Sequence, residues 1–136
     1  MSHYVLDTNH VGVLLRQSTM GLSVFKQRLV STQDILAVSM PTVAELWFMV
    51  SNSKRVEENS RRLELLLAAL PCFEFDAAAA REYGTIATEL RRIGKPIPQI
   101  DIQIAAIAKT NGLIVATSDS HFSHVSGITV VNLLAQ

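Results

Sequence analysis

One short stretch, Tyr4-Val5-Leu6-Asp7-Thr8-Asn9, joins an apolar run to a carboxylate. A second apolar run, Leu113–Thr117, is closely followed by Asp119. Short apolar runs separated by helical patterns predict a mainly parallel sheet that is covered by helices on both faces. In open sheets of this kind, sites form beyond the carboxyl ends of the strands. Asp7 and Asp119 are therefore expected to lie at one edge of the sheet.

The alternation of strand and helix continues along the chain. The apolar pattern predicts strands over 4–6, 35–38, 73–75, 113–117 and 128–132, and helices over 10–30, 41–51, 56–70, 77–93 and 99–110. Gly21 predicts a break within the first helix, whereas Asp76 is placed to cap the fourth and Gly94 to end it. Because no linker or repeat interrupts this pattern, residues 1–136 are expected to form a single α/β domain.

Composition narrows the classes of function. The chain has 136 residues, of which 49 % are hydrophobic, and its formal net charge is zero, so charge alone does not favour nucleic-acid binding. The one cysteine excludes an internal disulfide framework and a zinc site of the Cys-rich type. No apolar run approaches the roughly 20 residues that span a membrane, and the first residues do not resemble a signal peptide. A cytoplasmic protein without a membrane partner is expected.

Four acidic residues stand beside apolar neighbours: Asp7, Glu45, Asp101 and Asp119. Each has an ordinary explanation as a helix cap, a first-turn charge or a turn residue. Four in one small α/β domain are harder to explain in this way, because clustered carboxylates raise one another's pKa. A divalent cation removes that penalty, and Mg²⁺ prefers oxygen ligands. The acids together therefore predict a metal site.

Four stretches in order along the chain resemble the motifs of PIN domains, and in particular of the small toxin ribonucleases of the VapC type. They are Val5–Asn9, Ser39–Leu46, Asp101–Ala108 and Val115–Phe122. The resemblance covers nearly the whole chain and implies a three-layer α/β/α sandwich with a mainly parallel central sheet. It also implies endonucleolytic cleavage of RNA that depends on Mg²⁺ or Mn²⁺. As partners it implies an RNA substrate, a cognate antitoxin that is a small DNA-binding protein, and a second copy of the chain in a homodimer.

The same resemblance assigns roles to individual residues. It implies that Asp7, Asp101 and Asp119 are catalytic metal ligands, the last directly or through water. Glu45 is the fourth catalytic residue, which orients the attacking water or acts as a general base. Asn9 and Thr117 are implied to support the acids through hydrogen bonds.

Some features leave alternatives open. His10 stands where the family usually has an aliphatic residue, but all four acids are retained. A catalytically silent PIN-like domain that binds RNA or protein is the alternative function. Trp47-Phe48-Met49 is expected either inside the domain or at a partner surface, and His121 and His124 are not assigned to the site. Asn9 replaces the second aspartate expected of a haloacid-dehalogenase-type phosphatase, which disfavours that class.

Overall fold

The computed structural model describes residues 1–16 and 33–134. Its sheet has five parallel strands in the order β3-β2-β1-β4-β5. The strands are β1 (His3–Leu6), β2 (Ile35–Ser39), β3 (Cys72–Phe73), β4 (Ile114–Ala116) and β5 (Thr129–Val131). The expected parallel α/β fold is confirmed. The third strand ends at Phe73 and not at Phe75 as predicted, because only two residues pair with the end of β2.

Within the described residues, five α-helices lie between the strands: α1 (Thr8–Arg16), α2 (Met40–Ser51), α3 (Val56–Ala69), α4 (Ala77–Arg92) and α5 (Gln99–Asn111). A 3₁₀ turn, η1 (Ser120–His124), follows β4. The first helix begins two residues before the predicted start. Its predicted continuation over 17–30, with the break at Gly21, lies outside the described residues.

Helix ends follow the expected local chemistry. Asp76 caps α4 by accepting a hydrogen bond from the Ala79 backbone N–H (2.9 Å). Pro41 lies in the first turn of α2, where its missing N–H costs nothing. Gly112 closes α5 in the left-handed conformation (φ 65°), which strains any residue with a Cβ. These signals explain why most helix boundaries were predicted to within a residue or two.

The sheet is covered on both faces. In β1, Val5 belongs to one apolar cluster, whereas Tyr4 and Leu6 belong to the other, as the alternation of a strand requires. The first cluster is built mainly from α4, α5 and η1, and the second from α1, α2 and α3. The result is the three-layer sandwich that the sequence predicted.

Helix α2 is apolar on both sides but is buried on only one. Leu46 and Val50 are buried against the sheet, whereas Phe48 is 70 % exposed and Met49 is 48 % exposed. Of the two expectations for this segment, an interior position is therefore wrong for Phe48 and Met49. Within residues 1–16 and 33–134, no helix is both long and apolar enough to cross a membrane.

Candidate metal centre

Asp7 lies at the carboxyl end of β1, where the chain turns into α1. Its backbone N–H donates to the carbonyl oxygen of Ala116 at the end of β4 (2.9 Å), which places the two strand ends side by side. The Thr8 backbone N–H donates to Asp7 Oδ1, and the Thr117 hydroxyl donates to Asp7 Oδ2, each at 2.7 Å. The Asp7 side chain is 6 % exposed and held at both oxygens.

Thr117 connects the first and last acids of the cluster. Besides donating to Asp7, its Oγ1 accepts a hydrogen bond from the Asp119 backbone N–H (2.9 Å). Asn9 Nδ2 lies 3.3 Å from the same Oγ1 and 3.4 Å from Asp7 Oδ2. Asn9 and Thr117 thus occupy the positions that their predicted supporting roles require.

Asp101 and Asp119 face each other across the ring of His121. Nδ1 of His121 is 3.0 Å from Asp101 Oδ2 and 3.0 Å from Asp119 Oδ1. Asp119 also caps η1 by accepting a hydrogen bond from the His121 backbone N–H (2.9 Å). The 3₁₀ turn aims His121 into the cluster, although the sequence did not assign it to the site. Its spacing of two residues from Asp119 was the only signal available.

Glu45 reaches the cluster from the first turns of α2. Its Oε1 accepts a hydrogen bond from the Thr8 hydroxyl, which fixes the glutamate to the residue that follows Asp7. All four predicted acids line one pocket of about 420 Å³, together with Arg16 and Met49. The tertiary structure therefore brings together every predicted site residue, from β1, α2, α5 and the loop after β4.

The electrostatics of the pocket oppose the ionised state. Burial is the main cause that raises the pKa of Asp7, and the charges of Glu45 and Asp119 raise it further against the hydrogen bonds from Thr117 and Thr8. Burial likewise raises the pKa of Asp101, with added repulsion from Asp7 and Asp119 and a partial offset from His121. Burial first, and repulsion among the acids second, therefore disfavour the ionised form of Asp7 and Asp101.

The donor set suits a divalent cation. One ligand atom each from Asp101, Asp119 and His121 lie within 4.8 Å of one another. Asp7 is close enough to influence the pKa of Asp101. A cation would cancel the repulsion among these carboxylates, and oxygen-rich sites are those that Mg²⁺ and Mn²⁺ occupy. This grouping brings His121 to two of the predicted ligands and does not include Asp7.

A larger groove of about 700 Å³ lies elsewhere, between α4 and the end of η1. Two of the cations that line it are already paired, since Arg92 lies 2.9 Å from Glu89 and Lys109 lies 2.7 Å from Glu82. None of the four acids lines it. We therefore assign the candidate site to the smaller pocket.

The fold and the site together define the class of this protein. It is a parallel α/β sandwich that has a carboxylate pocket at the carboxyl ends of its strands. The chain belongs to the PIN domain family, whose profile matches residues 4–128.

Curated relatives are similar to this chain over most of its length. The tRNA(fMet)-specific endonuclease VapC of Shigella flexneri is 30 % identical and covers 94 % of this chain and 96 % of its own. Ribonuclease VapC2 of Haemophilus influenzae is 34 % identical over 88 % of each chain. Among solved structures, VapBC2 of Rickettsia felis, bound to a DNA fragment from its promoter, superposes with a TM-score of 0.86. The matched chain is 26 % identical, over 96 % of this chain and 98 % of its own.

Proposed function

We propose that this protein is a metal-dependent endoribonuclease of the VapC type, the toxin of a toxin–antitoxin pair. The observation that carries the proposal is the convergence of Asp7, Glu45, Asp101 and Asp119 in one pocket of a PIN domain. Relatives that are named ribonuclease or endonuclease supply the substrate class. A silent binding domain would gain nothing from a carboxylate cluster that raises the pKa of its own members.

The residues divide into a metal-holding group and a water-orienting group. Asp7, Asp101 and Asp119 would hold Mg²⁺ or Mn²⁺, with His121 as a further donor at the same place. When bound, such an ion supplies an activated water and charge stabilisation for cleavage of a phosphodiester bond. Glu45, anchored by Thr8, faces the same pocket and accepts a proton from the attacking water.

Arg16 provides a cation for the substrate at the rim of this pocket. Its guanidinium folds back over Gly12, where an added Cβ would lie 3.1 Å from Arg16 Nη1. Among residues 1–16 and 33–134, Arg16 has no carboxylate within ion-pair distance. The guanidinium is therefore available to an RNA phosphate next to the bond that is cleaved.

The antitoxin is proposed to cover Phe48 and Met49. Met49 lines the acidic pocket, and Phe48 beside it is 70 % exposed, so an apolar peptide segment lying there would reach the carboxylates. We further propose that the toxin is a homodimer and acts on RNA in the cytoplasm. Light scattering tests the dimer, and Phe48→Asp is expected to abolish inhibition by the antitoxin while leaving cleavage intact.

Incubation of total cellular RNA with purified protein tests the nuclease, with EDTA, Mg²⁺ or Mn²⁺ in parallel. Discrete fragments that require metal are expected from the wild type and not from Asp7→Asn, which keeps the shape of the side chain. Asp34→Asn is the matched control. Asp34 is buried too, but it accepts a hydrogen bond from the Ser2 backbone N–H (2.8 Å) before β2, at the opposite edge of the sheet. Cleavage by a folded Asp7→Asn protein would contradict the proposal.

A further inference from the structure

The side chain of His10 is fully buried on α1, yet both of its ring nitrogens contact polar groups. Nδ1 is 2.6 Å from Asn9 Oδ1. The Leu133 backbone N–H, just after β5, donates to Nε2 at 3.0 Å. The imidazole therefore bridges the segment after the last strand and a residue that borders the acidic pocket.

Two backbone N–H groups determine which ring nitrogen of His10 carries the proton. The N–H of Leu133 can only donate, so Nε2 must be the unprotonated acceptor. The Ser118 backbone N–H donates to Asn9 Oδ1 (3.2 Å), so the oxygen end of the Asn9 amide faces His10. Nδ1 must then carry the proton and donate to that oxygen. Burial lowers the pKa of His10 to about 4, which keeps this Nδ1–H form neutral at pH 7.

The orientation of Asn9 matters for Asp7. With Oδ1 held by His10 and Ser118, Nδ2 faces Asp7 Oδ2 (3.4 Å) and Thr117 Oγ1 (3.3 Å). A reversed amide would place its oxygen against the Asp7 carboxylate, where two acceptors repel. We propose that His10 is a positioning residue that holds the Asn9 amide in the orientation that donates to Asp7. Its consequence for metal binding rests on the proposed function, in which Asp7 is a ligand.

Two substitutions of His10 each retain one of the two contacts that the imidazole ring makes. Gln at position 10 keeps an amide near the place of Nε2, as an acceptor for Leu133, but offers no donor beside Asn9. Asn keeps an amide near the place of Nδ1 and can still donate to Asn9. Partners that orient metal ligands typically contribute 10–100-fold to affinity, so His10→Gln is expected to weaken Mn²⁺ binding about tenfold in calorimetry. His10→Asn retains more of the affinity, and His3→Gln, at an exposed position, leaves it unchanged.

A double-mutant cycle separates positioning from packing. If His10 acts through Asn9, the His10→Gln substitution has no further effect on Mn²⁺ affinity once Asn9→Ala is present. The inference would be overturned if the losses of Mn²⁺ affinity in His10→Gln and Asn9→Ala simply add in the double mutant, and if His10→Gln and His10→Asn have equal effects.

Nuclear magnetic resonance gives a readout that needs neither metal nor RNA. The ¹⁵N shifts of His10 should show a protonated Nδ1 and a bare Nε2. Exchange of the Asn9 side-chain amide should be roughly tenfold faster in His10→Gln, the equivalent of one lost hydrogen bond. An Nε2–H ring, or unchanged Asn9 exchange, would overturn the role of His10. A wild type that neither binds Mn²⁺ nor cleaves RNA would instead overturn the proposed function, while these spectra still decide the orientation of Asn9.

Discussion

Replacing Asp101 by Asn is expected to stabilise the metal-free protein while it abolishes metal binding. Asp101 is 6 % exposed, and burial, followed by repulsion from Asp7 and Asp119, raises the pKa of its carboxyl above the ordinary 3.8. Between the unfolded and the raised folded pKa, the folded state binds more protons than the unfolded chain. The stability of the metal-free protein therefore falls as pH rises through that window, and the loss persists at neutral pH.

Asn keeps the shape of Asp101 and can still accept a hydrogen bond from His121 Nδ1, but it carries no charge. We therefore expect the free energy of unfolding of Asp101→Asn to exceed that of the wild type in EDTA at pH 7. The gain should be on the order of 1 kcal/mol, the usual size of the effect of one substitution, or about 4 °C in melting temperature.

Added Mn²⁺ should make the wild type more stable than Asp101→Asn. A ligand at 100 times its dissociation constant stabilises the folded state by about 2.7 kcal/mol. The wild type should then gain roughly 10 °C, whereas Asp101→Asn, which lacks one of the proposed ligands, gains little. Scanning calorimetry at pH 7 measures both states, and the same samples can be assayed for RNA cleavage.

The Asp34→Asn variant is the control, because it removes a buried carboxylate that lies outside the acidic pocket. Because Asp34 lies before β2, away from the acidic pocket, this variant should show the wild-type response to Mn²⁺. The reasoning is refuted if Asp101→Asn is less stable than the wild type in EDTA. It is equally refuted if the variant keeps the full Mn²⁺-induced rise in melting temperature.

Three further predictions concern the same pocket. Mn²⁺ affinity should fall as pH drops through the raised pKa values of Asp7 and Asp101, because protonated carboxyls do not bind the ion. Calorimetry across pH checks this. His121→Ala removes a hydrogen bond that lowers the pKa of Asp101, so this fall should begin at higher pH than in the wild type; an unchanged profile would contradict it. Arg16→Ala should raise KM for RNA several-fold with kcat nearly unchanged, as expected for a phosphate contact, whereas a fall in kcat alone would exclude that role.

The local signals in the sequence predicted much of the fold. Apolar runs such as Tyr4–Leu6 and Leu113–Thr117 predicted the parallel sheet, because buried strands need apolar residues on both faces. Asp76 and Gly94 predicted where α4 begins and ends. The bounds of the short β3 were predicted wrongly, because two residues carry too little periodic pattern to define where a strand begins and ends.

The acids of the pocket were also predicted from the sequence. Asp7 and Asp119 follow apolar runs that predict strands, and Glu45 and Asp101 lie in motifs that resemble those of PIN domains. His121 and His10 were not predicted, because their roles depend on which groups the fold brings to each ring nitrogen. His121 reaches Asp101 from 20 residues away, and His10 meets Leu133 from 123 residues away. The sequence by itself determined the fold class and the positions of Asp7 and Asp119 after strands, because both follow from local hydrophobicity and position. Tertiary structure alone decided how those acids are held, because hydrogen-bond geometry arises only when distant segments pack together.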